Sequence, residues 1–111
     1  MPLHWLDPNQ PEQAFPDLDQ ALEDPNGLIA IEGCLSSKRL INAYRAGIFP
    51  WYNENEPILW WSPDPRLVIF PNKINISRSL AKTLRKPHYE VRFDTAFESV
   101  IQACSNPRKD A

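Results

Sequence analysis

The stretch 48–66 limits what this chain can fold into more than any other. It reads Ile48-Phe49-Pro50-Trp51-Tyr52, then a short polar loop, then Ile58-Leu59-Trp60-Trp61-Ser62-Pro63-Asp64-Pro65-Arg66, and it holds three of the four tryptophans. Trp60 and Trp61 are adjacent, so in a strand their side chains leave on opposite faces and at most one enters a given core. A buried indole also needs a partner for its N–H. Clustered aromatics beside rigid X-Pro turns predict a preformed aromatic cavity or a stacking surface. Each residue singly fits the core of a small domain equally well; the cluster as a whole reads as a site.

Local signals arrange short elements around this stretch. Residues 1–16 are proline-rich without periodicity and predict an irregular, partly draped lead-in. Residues 17–23 are a short helix candidate with Asp17 at its cap, ended by the turn Asp24-Pro25-Asn26-Gly27. Leu28-Ile29-Ala30-Ile31 is a brief apolar strand. Ser36 is placed to cap a helix over 37–46, with Gly47 as its left-handed stop and Leu40, Ile41 and Tyr44 on one face. Beyond the aromatics, 66–70 is an apolar strand closed by Pro71, Ser77 caps a helix that Pro87 ends, and 89–93 alternates as a half-buried strand. A last helix starts at Asp94 or Thr95, with Thr95 and Glu98 as a capping box. Ala96, Phe97, Val100, Ile101 and Cys104 make its buried stripe, and Asn106-Pro107 halts it. This order gives an α+β or α/β architecture.

Several function classes drop out. No run of 18 apolar residues is available to span a membrane, and the first residues lack the basic start and apolar core of a secretory signal. No G-x-G-x-x-G or P-loop occurs. His4 and His88 have neither a nucleophile nor a carboxylate at motif spacing and read as surface or satisfied histidines. Cys34 and Cys104 lack metal-type spacing, and reduced thiols of a cytoplasmic protein are the default. Nothing near Cys34 in the sequence is expected to lower its pKa, so it is not read as a nucleophile. No cofactor, metal or catalytic residue is assigned.

Charge is divided unevenly. Ten acids against Lys38, Arg39 and Arg45 leave residues 1–65 at −7, whereas nine bases against four acids bring 66–111 to +5, within a net charge of −2. Asymmetry of this kind suggests a polyanion partner for the second part and none for the first. In the helix after Ser77, Arg78, Lys82 and Arg85 fall at i, i+4 and i+7 with Lys86 beside them, opposite Leu80 and Leu84 as anchors. Such a stripe suits successive phosphates by counterion release; it also suits an ordinary solvated helix face.

Ile48-Phe49-Pro50-Trp51 with Pro57-Ile58-Leu59-Trp60-Trp61-Ser62-Pro63-Asp64-Pro65-Arg66 resembles the signature of the leucyl/phenylalanyl-tRNA–protein transferases. Glu23-Asp24-Pro25-Asn26-Gly27-Leu28, residues 39–47, Ile76-Ser77-Arg78-Ser79-Leu80 and Asp94-Thr95-Ala96-Phe97 support it, so the likeness runs from about Phe15 onward. The resemblance implies a small N-terminal α/β domain, 1–64, and the opening strands and helices of a GNAT-type acetyltransferase-like domain, 65–111. It implies transfer of Leu or Phe from aminoacyl-tRNA to proteins beginning with Arg or Lys, marking them for degradation. Trp51 and Tyr44 then lie near the terminal adenosine and aminoacyl group, and Arg78, Lys82, Arg85 and Lys86 grip the tRNA. The family usually has an acidic residue at the position of Cys34. Family chains continue well past the polar ending Arg108-Lys109-Asp110-Ala111, so the sequence reads as a truncated front half, inactive alone, with its catalytic groups in the missing part. The alternatives are a non-catalytic RNA-binding module and a proline/aromatic module that docks a peptide.

Overall fold

Leucine and isoleucine at 28–31 favour extended, buried backbone. The structure, a computed structural model that describes residues 3–108, places them inside a four-stranded sheet. Lys109, Asp110 and Ala111 of the polar ending lie outside the described residues, as do Met1 and Pro2. The architecture is mixed α+β. Strand β2 (Leu28–Glu32) pairs antiparallel with β4 (Leu59–Trp61), Ala30 opposite Trp60 and Ile31 opposite Leu59. On its other side β2 pairs in parallel with β1 (His4–Leu6), and β4 pairs antiparallel with β3 (Phe49–Pro50), giving the order β1-β2-β4-β3. Pro50, which cannot donate to a ladder, sits on the edge strand, where this does least harm.

Helix α1 (Ser37–Arg45) lies against β3 and begins as its sequence directs: the Ser36 hydroxyl accepts from the Arg39 N–H at 3.2 Å. Gly47, at φ 76°, lets the chain leave α1 in the left-handed region. Gly27 is needed for a different reason. Its φ is 91°, and a Cβ there would meet the Pro63 backbone at 2.5 Å, so this turn and the Ser62-Pro63 segment touch only because the side chain is missing. The core consists of Leu6, Ile29, Ala30, Ala43, Ile48 and Trp60, with Phe15, Ala21, Leu40 and Ile58 packed against it.

Three expectations for this part are corrected. The lead-in is not irregular throughout, because β1 forms and Leu6 is buried; three residues carry no period, and the strand exists through its ladder with β2. The helix over 17–23 shrinks to a 3-10 turn, Leu18–Gln20, and Asp17 makes no side-chain cap. In α1 the buried pair is Arg39 and Ala43, so the helix is rotated to leave Ile41 and Tyr44 exposed while Leu40 packs on the core.

The chain divides into two compact units, Met1–Val68 and Ile69–Ala111. The second unit contains a 3-10 turn (Pro71–Lys73) and two helices, α2 (Arg78–Arg85) and α3 (Phe97–Ser105). The segments 66–70 and 89–93, expected as strands, are irregular and exposed, Leu67 at 99%. A strand requires a ladder, and among the described residues neither segment has a neighbour to pair with. The Thr95–Glu98 capping box does not form either. Asp94 turns the chain at φ 57°, Ala96 becomes the cap residue without a side-chain bond, and the helix starts at Phe97. Its expected stripe, including Phe97, Val100, Ile101 and Cys104, is exposed, since nothing among the described residues covers it.

Candidate functional site

The aromatic stretch separates into three roles. Trp60 is fully buried, its Nε1 donates to the Glu32 carbonyl at 2.8 Å, and Phe15 meets its ring edge-on at 5.1 Å. Burying an indole removes about 150–250 Å² from water, worth about 4–6 kcal/mol, so this residue belongs to the core. Trp61 leaves the strand on the other face, and its Nε1 donates to the carbonyl of Trp51 at 2.7 Å. The Trp51 N–H in turn donates to the Leu59 carbonyl at 2.9 Å. The Trp51 backbone is therefore clamped from both sides while its side chain stays 75% exposed. An open depression of about 230 Å³ is lined by Pro50, Trp51, Tyr52 and Asn53. Arg66 braces the same edge, donating to the Gly47 carbonyl at 2.8 Å with its guanidinium 5.1 Å from the Phe49 ring centroid. Tyr44, in the last turn of α1, is 65% exposed. The result is a displayed aromatic surface on a fixed backbone. A larger depression of about 380 Å³ includes Asp19, Glu23 and Asp64 in its lining, a set of charges that repels a polyanion.

In the second unit the Ser77 hydroxyl caps α2 by accepting from the Leu80 N–H at 3.2 Å. Arg78, Lys82 and Arg85 are exposed along the helix, and Lys86 stands at its C-cap in extended conformation. None of the four is in an ion pair among the described residues; the ion pair found there joins Arg92 to Glu90. Arg85 folds back so that its Nε donates to the Ala81 carbonyl at 3.3 Å. Leu80 and Leu84 do not anchor the helix within these residues, because both are exposed and Ala81 is the half-buried position.

The reading of Cys34 is also corrected. Arg39 Nε donates to Cys34 Sγ at 3.5 Å, and Sγ lies 3.6 Å from the Ser36 hydroxyl. The Arg39 hydrogen bond foremost, then those from Ser36, draw the thiol pKa down to about 7. Arg39 itself was missed as a key residue. On a charge count it looks like surface, yet it is fully buried, and the available signal was its i, i+4 spacing from Ala43. Among the described residues no group of three His, Cys, Asp or Glu comes together as a metal site would need, and no helix is long and apolar enough to cross a membrane.

Fold and site together define a class: a mixed α+β chain whose chemistry-bearing residues form open aromatic and basic surfaces instead of an enclosed pocket around a nucleophile. Two family models match it. One, described as the leucyl/phenylalanyl-tRNA protein transferase N-terminal domain, covers residues 33–64, and the other, described as leucyl/phenylalanyl-tRNA protein transferase, covers residues 68–111. The chain belongs to the leucyl/phenylalanyl-tRNA protein transferase family. It is 61% identical over 107 residues to a protein of that name from Methylococcus capsulatus, covering 96% of this chain and 46% of the relative. A Pseudomonas putida relative is 58% identical over 106 residues with the same coverage, and one from Nitrosomonas europaea is 62% identical over 96 residues, covering 86% of this chain and 41% of its own length. The chain thus spans less than half the length of the curated relatives it matches.

Proposed function

We propose that this chain is part of an aminoacyltransferase that moves leucine or phenylalanine from its tRNA to the α-amino group of proteins beginning with Arg or Lys, marking them for degradation in the cytoplasm. The observation that carries the reading is the 61% identity, sustained over 107 residues, to a relative bearing that enzyme's name. Chemically, an amine attacks an ester already activated by the tRNA. The protein has to position the two and give the amine proton a hydrogen-bonded exit. The displayed side chains of Trp51 and Tyr44 suit contact with the terminal adenosine and the aminoacyl group, because an exposed ring on a clamped backbone offers a stacking face at little ordering cost. Arg78, Lys82, Arg85 and Lys86, exposed and without ion pairs among the described residues, suit the tRNA phosphates. No residue of this stretch is assigned to proton transfer. In the complete protein, residues 1–64 make a small N-terminal domain, and residue 65 onward opens a GNAT-type domain whose remaining length covers the exposed apolar faces of α2 and α3.

The test is transfer of radiolabelled phenylalanine from Phe-tRNA, by the full-length protein, to a peptide beginning with Arg. A matched peptide beginning with Ala is the control. Label on the Arg peptide alone supports the proposal. Binding of the tRNA without transfer would replace it with the RNA-binding module.

A further inference from the structure

Arg39 is the one charged side chain fully removed from water among the described residues. Its Nη2 donates to the carbonyl oxygens of Asp7 at 2.7 Å and Gln10 at 2.6 Å, and its Nη1 has no hydrogen-bond partner among the described residues. Carbonyl oxygens carry no net charge, and among the described residues no carboxylate stands within ion-pair distance of this guanidinium. Arginine cannot escape by losing its proton, so a buried one without counter-charge is strongly unfavourable. It is also confined. A Cβ at Gly33 would lie 3.2 Å from its Cζ and Nε and 3.1 Å from Leu6 Cβ, so backbone closes over the guanidinium on that side. Of the groups that hydrogen-bond to it, only Cys34 can become an anion, through the Nε–H contact at 3.5 Å.

We propose that Cys34 is held as a thiolate to serve as the counter-anion of Arg39, and that it is thereby a modification site for small disulfides whose occupation releases the Asp7–Gln10 turn from the start of α1. This is independent of the transfer reaction. The groups facing the pair are Ser36 at the cap of α1 and, from the lead-in, the backbone carbonyls of Asp7 and Gln10; the Asp7 carboxylate is turned to the Asn9 N–H at 2.9 Å. The thiol pKa, lowered to about 7, agrees with this assignment. Cys34 is half-buried, so its sulfur is reachable. In the exchange, the Cys34 sulfur attacks one sulfur of R–S–S–R. The Cys34–S–S–R bond forms, the reagent's S–S bond breaks, and R–S⁻ departs with the electron pair and the negative charge. Cys34 is then neutral, and Arg39 keeps only the two carbonyls.

The experiment uses the 111-residue chain carrying Cys104→Ser, with dithiobisnitrobenzoate as the disulfide and the coloured thiolate as readout. We expect one equivalent released with a half-maximal rate near pH 7, as the lowered thiol pKa requires. At pH 7 the rate should exceed that of an ordinary thiol about threefold, the larger thiolate fraction being partly offset by its weaker nucleophilicity. The mixed disulfide should melt below the unmodified chain and recover with dithiothreitol. A second variant, Cys34→Ser with Cys104→Ser, removes the anion without touching Arg39. Because the folded pKa is depressed, the thiolate's contribution is complete above the unfolded value and is lost as pH falls through about 7. The gap in Tm between the two variants should therefore widen from pH 6 to pH 9. A half-maximal rate near the ordinary value of about 8.5, unchanged melting of the mixed disulfide, or a Tm gap independent of pH would each overturn the proposal.

Discussion

Replacing Trp51 with alanine separates display from core. Neither hydrogen bond that holds this residue uses the indole: the N–H reaches Leu59 O at 2.9 Å, and the carbonyl receives Trp61 Nε1 at 2.7 Å. With the side chain 75% exposed, a quarter of it is covered. A quarter of roughly 150–250 Å² is about 40–60 Å², worth about 1–1.5 kcal/mol. In a chain of relative-like length that lowers Tm by about 2–6 °C, and the protein remains folded at 25 °C. Stacking of a base on the ring is worth about 1–3 kcal/mol, so the Kd for Phe-tRNA at 25 °C should rise about 5- to 160-fold. Trp51→Phe, which keeps an aromatic face, should recover part of that loss. The assays are thermal unfolding and equilibrium tRNA binding on the full-length protein. A Kd within twofold of the parent, or a Tm loss as large as that of Trp60→Ala, would refute the reasoning.

Alanine at Arg78, Lys82, Arg85 and Lys86 together should flatten the dependence of log K for tRNA on log salt by about three units, at about 0.7–0.9 per lost phosphate contact; an unchanged slope marks an ordinary solvated face. Trp60→Ala should lower the unfolding free energy by about 3–5 kcal/mol in urea. Trp60→Phe should cost about 1–3 kcal/mol, because the Glu32 carbonyl loses its donor, and a loss under 1 kcal/mol for the alanine variant would remove Trp60 from the core. The 111 residues assayed alone should give no phenylalanine transfer above the rate without enzyme, since each transition-state contact of about 1.4 kcal/mol that is missing costs tenfold. A monomer of these residues that performs the transfer would overturn the assignment of proton transfer to other parts of the protein.

What the sequence determined by itself lies within one helical turn or one strand. Ser36 and Ser77 cap the helices they precede, Gly47 ends α1, Leu28–Glu32 is a strand, and Trp60 and Trp61 part to opposite faces because side chains alternate with period two. The family was legible for a similar reason, through motifs carried in contiguous residues. Other features needed segments far apart in the chain. β1 exists because β2 lies beside it, whereas 66–70 and 89–93, strand-like in their own pattern, form no strand for want of a neighbour among the described residues. Of three clustered tryptophans, tertiary contacts decided that Trp60 fills the core, Trp61 clamps and Trp51 is displayed. Arg39 became a buried charge when the carbonyls of Asp7 and Gln10 folded over the start of α1, and its hydrogen bond, with those of Ser36, makes Cys34 an acidic thiol. Period and capping are properties of a few consecutive residues; ladders, burial and counter-charge are properties of pairs, and only the folded chain brings the second member of each pair into place.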